Sequence, residues 1–242
     1  MMQEYTLKRP KQFRAANKNF QGFYDFLMKS GVGNAFFLES SVEEFAKLVY
    51  KNVPSSQIAL RTDKDGFYTL YAGRVLLLKI RDNRIIKVCV PGVKSLKNNY
   101  MFCGHDFEYT LWAKFPDLED GGDYFLDRAY DLQHLSIPNV KKLGNGPLAY
   151  SQLPQFNGPD LESAGDYFLY KNEYMYLFNA PKLRTVGRGT LYNNNVLDCT
   201  NQEEMEEYDG EGLLKTPNLK KAGVNCHPTI YDAIKQNIEK QR

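Results

Sequence analysis

A chain of 242 residues carrying 31 Lys and Arg against 29 Asp and Glu has a formal net charge of +2, so no overall electrostatic bias draws it to nucleic acid. Hydrophobic residues make up 43% of it, ample for a core, yet no stretch approaches the roughly 18–20 apolar residues of a membrane span. Its four cysteines, Cys89, Cys103, Cys199 and Cys226, are widely spaced with no CxxC, a usage that fits reduced thiols better than a disulfide framework.

The N-terminus, MMQEYTLKRPKQ, has no apolar run of the kind a secretory signal carries, and the expected location is the cytoplasm, with a non-Sec export route left open. Residues 8–14 form a local basic segment, read as a solvated arm. Residues 15–54 read as helical: Phe20, Phe23, Tyr24 and Leu27 share one face, and Gly31 and Gly33 interrupt the pattern. Ser41 and Glu44 have the spacing of a capping box at the head of a second helix, with Phe45, Leu48 and Val49 on one side and Pro54 as its stop. Residues 57–60, 67–72, 74–80 and 84–90 switch to strand character, separated by turn signals at Gly66, Gly73 and Asn83. Residues 1–90 are thus expected to be an N-terminal α/β cap or small domain. As an alternative they form a catalytic effector domain.

From Pro91 onward the chain repeats itself. The pattern Pro, any residue, Leu or Val, three residues and usually Gly occurs as PGVKSLK (Pro91), PDLEDGG (Pro116), PNVKKLG (Pro138), PDLESAG (Pro159), PKLRTVG (Pro181) and PNLKKAG (Pro217). The starts from Pro116 to Pro181 lie 22, 21 and 22 residues apart, a period that marks a solenoid in which each unit buries its apolar side against its neighbours. The glycine position carries Gly122, Gly144, Gly165, Gly187 and Gly223, with Lys97 the exception. Four residues later stand Leu126, Leu148, Leu169 and Leu191; seven later stand Ser151, Asn172 and Asn194, with Ala129 the exception. Leu132 and Leu135, Leu153 and Phe156, and Met175 and Phe178 would close the core on the returning side.

This arrangement resembles the leucine-rich repeat family, whose motif L-x-x-L-x-L-x-x-N maps onto the residue before the glycine, the second and fourth residues after it, and Asn172 or Asn194. The version here, P-x-L-x-x-x-G-x-x-x-L, looks like the irregular repeats of bacterial and phage proteins. The resemblance covers residues 91–200 and implies a short parallel strand after each glycine and an Asn that hydrogen-bonds between coils. It departs from the family at the second apolar site, which alternates Tyr124 and Tyr167 with Gly146 and Gly189, a ring in one coil filling the space above no side chain in the next. Strand alternation would then turn glycine-plus-two and plus-four inward. The outward residues would present Asp123, Phe125, Asp127, Asp166, Phe168, Tyr170, Arg188 and Tyr192 as an exposed aromatic and charged face for a protein partner.

Between Pro181 and Pro217 the spacing stretches to 36 residues and includes an acidic insertion at 201–212. The solenoid is expected to run over 91–227. In the tail, 228–242, Ile230, Ile234 and Ile238 recur at helical spacing, read as a C-terminal capping helix. Of three histidines, His105 stands with Cys103 and Asp106 in the densest reactive cluster, but no second ligand pair or base follows at the spacing that zinc or a nucleophilic thiol requires. No catalytic residue, metal or cofactor is assigned. The expected class is a leucine-rich-repeat-like α/β solenoid that acts as a protein-interaction module. By resemblance it is a host-interaction, effector or inhibitor protein. The alternatives are the N-terminal catalytic domain, nucleic-acid binding through residues 8–14 and the tyrosines, and a homo-oligomer formed through the same face.

Overall fold

The computed structural model describes residues 11–12, 20–53, 58–62, 67–97, 102–194, 214–216 and 218–240. The acidic insertion at 201–212, and all of the basic segment except the backbone of Lys11 and Gln12, lie outside the described residues. The chain divides into two compact units, Met1–Val90 and Pro91–Arg242.

The first unit is α/β. Helix α1 (Phe20–Lys29) buries Phe23 and Leu27 completely, one turn apart on one face. Helix α2 (Glu39–Asn52) buries Val42, Phe45, Ala46 and Val49, the i, i+3, i+4, i+7 stripe of an amphipathic helix. It begins two residues before the capping box read from the sequence. Leu38 is the N-cap, its carbonyl accepting the Ser41 and Val42 N–H groups, so Ser41 is a buried interior residue and caps nothing. Glu39 in the first turn suits the positive end of the helix dipole and also accepts the Tyr24 hydroxyl at 2.6 Å. That bond and the surrounding carboxylates push the Tyr24 phenol up to about 12.

Strands β1 (Lys11–Gln12), β2 (Ile58–Thr62), β3 (Tyr68–Ala72), β4 (Val75–Arg81) and β5 (Arg84–Cys89) pair antiparallel in sequence order. The β4–β5 turn places Asp82 and Asn83 at φ 50° and 57°, the pair of left-handed residues that a tight two-residue hairpin needs.

The second unit is a parallel β-solenoid with three sides per coil. One side is a ladder of very short strands just before the repeat glycine: β8 (Lys142–Leu143), β10 (Ser163–Ala164), β12 (Thr185–Val186) and β14 (Lys221–Ala222), extended by bridges through Asp120 and Ser95. Another side lies just before each proline. There β6 (Trp112–Lys114) pairs with β7 (His134–Ser136), and β9 (Gln155–Asn157), β11 (Leu177–Asn179) and β13 (Leu214–Lys215) pair in order. The remaining side, glycine-plus-one to plus-six, consists of turns.

The core is a set of columns running along the solenoid. Leu118, Val140, Leu161, Leu183 and Leu219 form one; Leu126, Leu148, Leu169 and Leu191 form another; all are fully buried. Leu132, Leu153, Phe156, Met175 and Phe178 close the returning side as the spacing predicts, whereas Leu135 is half-buried.

The repeat glycine is explained by backbone approach. A Cβ on Gly165 would stand 2.4 Å from the Gly144 carbonyl oxygen, and one on Gly187 would stand 2.3 Å from the Asp166 nitrogen. At Gly122 the obstacle is the backbone of Leu96 and Lys97 in the preceding segment. Lys97 occupies the first copy of the motif, which explains why the glycine requirement begins at the second.

Helix α3 (Pro228–Glu239) lies against the last coil. His227 caps it through Nδ1, which accepts the Thr229 N–H, and Pro228 takes the first turn. The isoleucine stripe is only partly the docking face: Ile230 is fully buried, Ile234 is half-buried and Ile238 is 48% exposed. Asn237 takes the inner position instead, its Nδ2 donating to the carbonyls of Thr216 at 2.9 Å and Leu219 at 3.1 Å. The terminal coil offers carbonyls with no further coil to bond them, so a donor serves better there than a methyl group.

Candidate functional site

The turn side of the solenoid is built from backbone conformations that side chains other than glycine seldom adopt. Tyr124, Leu126 and Arg128 all have φ between 52° and 59°, and Tyr167, Leu169 and Lys171 repeat the pattern at 53° to 58°. Leu126, Arg128 and Leu169 each lie at the third position of a tight turn, closed by Asp127 N–H to Tyr124 O, Ala129 N–H to Leu126 O and Tyr170 N–H to Tyr167 O respectively. A left-handed non-glycine residue costs about 1–2 kcal/mol. Here the offset is that each donates its N–H to a neighbouring coil: Tyr124 to Asn145 O, Leu126 to Phe102 O and Arg128 to Ala149 O, at 2.7–2.8 Å.

This geometry replaces the strand expected after each glycine and overturns its alternation. Phe125 and Phe168, expected on the outside, are 1% and 0% exposed and belong to the core. Phe125 packs on Phe102 and Phe115; Phe168 packs on Phe156 and Phe178, with ring centroids 5.1 and 5.8 Å away. The leucine that follows each also points inward. Tyr124 and Tyr167, expected inside, are 47% and 39% exposed. Their pairing with glycine holds, but on the outer surface: a Cβ on Gly146 would meet the Tyr124 ring at 2.7 Å and one on Gly189 the Tyr167 ring at 2.8 Å.

Asp123 and Asp166 do lie at this surface, and both have structural partners. Asp123 Oδ1 accepts the Asn145 N–H at 2.7 Å, Asn145 Oδ1 accepts the Asp166 N–H at 3.0 Å, and Asp166 Oδ1 accepts the Arg188 N–H at 3.0 Å. One short acceptor side chain per coil thus ties each coil to the next. The recurrence of Asp or Asn after the glycine was the sequence signal for this ladder. Asp127 is partly buried with Arg128 Nε at 3.7 Å, and burial outweighs that cation and pushes its carboxyl up to about 6.

Of the expected residues, Asp166, Tyr170, Arg188 and Tyr192 gather at one end of this face with three that the alternation missed, Tyr150, Tyr167 and Lys171. Tyr170 and Tyr192 stack at 5.6 Å with ring planes 8° apart, and Tyr150 and Tyr167 meet Tyr170 edge-on at 5.6 and 5.5 Å. Arg188 lies over the Tyr167 ring at 5.1 Å and pairs with Asp166 through Nε at 2.9 Å. Lys171 Nζ lies 5.4 Å from the Tyr150 ring and 5.7 Å from the Tyr170 ring. Tyr167, Tyr170, Arg188, Gly189, Tyr192 and Asn225 surround an open cavity of about 400 Å³.

The two interior Asn positions differ: one bonds a side-chain hydroxyl of the preceding coil and the other a backbone carbonyl. Asn172 Nδ2 donates to Ser151 Oγ at 2.9 Å and Asn194 Nδ2 to Leu169 O at 3.0 Å, all buried.

The reactive-residue cluster is not drawn together into a recognisable constellation. His105 is largely exposed with Nδ1 3.7 Å from Glu108, and Cys103 Sγ faces the Asp123 carbonyl at 3.9 Å. Among the described residues no three His, Cys, Asp or Glu side chains are grouped to hold a metal ion, and no helix is long and apolar enough to cross a membrane. Neither family models nor curated proteins nor solved structures give a match to this chain.

Proposed function

We propose that this chain is a protein-interaction module whose solenoid presents a tyrosine face to a protein partner. The observation that carries the reading is the exposed row of Tyr124, Tyr150, Tyr167 and Tyr192 on one side of the coils, with Tyr170 partly exposed among them and Asp, Arg and Lys around them. Tyrosine presents a large rigid ring and a polar tip, the combination enriched in protein interfaces. Rings held by glycine beneath and by each other at the side lose little freedom on binding, which favours affinity.

A leucine-rich-repeat-like ancestry for the coils is supported by the buried Asn194 hydrogen bond to the Leu169 carbonyl, and less by Asn172, which bonds the Ser151 hydroxyl. The turns that stand where that family carries its strand weigh against it. A role as a host-interaction, effector or inhibitor protein belongs with this reading. The test is partner capture by a folded variant in which Tyr150, Tyr167 and Tyr192 are serine.

A further inference from the structure

We propose that the cavity bounded by Tyr167, Tyr170, Arg188, Gly189, Tyr192 and Asn225 reads a carboxylate, and that the partner of the tyrosine face is an acidic peptide segment. The proposal rests on the protein-binding reading and gives that partner a chemistry.

The charges on this face are unequal in their availability. Asp123 and Asp166 accept backbone N–H groups of the next coil, Asp166 also holds Arg188 Nε, and Asp127 is partly buried beside Arg128. The cations are less committed. Lys171 makes no ion pair among the described residues and rests beside two phenol rings. Arg188 pairs with Asp166 through Nε and lines the cavity, and its guanidinium, with five N–H donors, has more donors than that one contact uses, so it can meet a second carboxylate.

The rings themselves favour an anion over a base. One face of Tyr167 is covered by Arg188, one face each of Tyr170 and Tyr192 by the other, and Lys171 lies over Tyr150 and Tyr170. A single-stranded nucleic acid needs open ring faces on which bases stack. What this cluster offers instead is ring edges, which carry the positive end of the aromatic quadrupole, together with phenol hydroxyls and the Asn225 carboxamide. Gly189 forms part of the wall, the Tyr167 ring standing where its side chain would be, and the 400 Å³ volume suits a single acidic side chain with its backbone.

The test uses the full chain and three fluorescein-labelled probes: a hexaglutamate peptide, a hexaglutamine peptide and an oligothymidylate, each followed by anisotropy. Hexaglutamate should bind, hexaglutamine should not, and Lys171→Gln and Arg188→Gln should each weaken hexaglutamate by about fivefold or more, as loss of one close charge pair does. Lys171→Gln is the safer variant, because its ammonium makes no ion pair among the described residues. Equal binding of hexaglutamine, no binding of hexaglutamate, tighter binding of the oligonucleotide, or an unchanged hexaglutamate affinity in Lys171→Gln would each overturn the proposal. A captured protein that is lost from the tyrosine variants but retained by both charge variants also overturns it while leaving the tyrosine face as the interface. One retained by the tyrosine variants overturns the interface itself.

Discussion

The ring of Tyr167 lies against Gly189 of the following coil so closely that a Cβ on the glycine would stand 2.8 Å from Tyr167 Cδ1. Tyr124 and Gly146 repeat the relationship at 2.7 Å. Each pair sets the Cδ1–Cε1 edge of an exposed ring against bare backbone, so the alternation of Tyr and Gly in sequence fixes the texture of the outer surface.

Gly189→Ala should therefore destabilise the protein by about 1–3 kcal/mol, through the clash and through a left-handed φ of 66°. Adding Tyr167→Ala should recover the clash and leave the conformational part. A urea-denaturation double-mutant cycle measures the coupling, and strict additivity of the two substitutions would show that the ring is not seated on the glycine.

Gly165→Ala differs because the obstacle is the Gly144 carbonyl at 2.4 Å, which no side-chain rotation can relieve. The expected cost is about 3 kcal/mol or more, at the severe end for a single substitution, read as a fall in the thermal midpoint. Lys97→Gly, at the copy that needs no glycine, should change stability by less than about 1 kcal/mol.

The repeat and its buried columns were legible because glycine, proline and leucine recur at fixed phase, the glycine answering to a close approach and the leucine to a core position. The α/β character of the first unit and the C-terminal helix were legible from periodicity. Which residues of the tyrosine side face outward was not. A period of two assumes extended backbone, whereas Tyr124 and Leu126 are left-handed and turn Phe125 and Leu126 inward together. Left-handed geometry announces itself in sequence through Gly or Asn, and Tyr, Leu, Arg and Lys hide it. The adjacent apolar pairs at 125–126 and 168–169 were the available sign, since a half-buried strand seldom places two large apolar residues side by side. The C-terminal stripe misled in a smaller way, because Asn237 docks where periodicity favoured isoleucine.

The Asp ladder predicts a graded response at Asp123. Asp123→Asn keeps an acceptor for the Asn145 N–H, as Asn145 itself does for Asp166, and should be tolerated. Asp123→Ala leaves that N–H without its acceptor and should cost about 1 kcal/mol in chemical denaturation.

The Asp127 carboxyl, raised by burial to about 6, makes stability depend on pH with a definite sign. Between its unfolded value near 4 and about 6, the folded protein holds more protons than the unfolded chain, so this group's contribution falls as pH rises through that window. Asp127→Asn should remove that dependence and stabilise the protein at pH 7 by about 1 kcal/mol, a figure reduced for the group's residual contact with solvent. Parallel denaturation curves at pH 5 and 7 check it, and an unchanged pH difference in the variant would exclude Asp127 as its source.

The most direct measurement compares partner capture from native lysate by the wild type and by the triple variant Tyr150→Ser, Tyr167→Ser, Tyr192→Ser, with circular dichroism on both. These side chains are at least partly exposed, so the variant should fold, and a protein that binds the wild type should be absent from its eluate. A folded variant that retains the same partner would contradict the assignment of function to the tyrosine face.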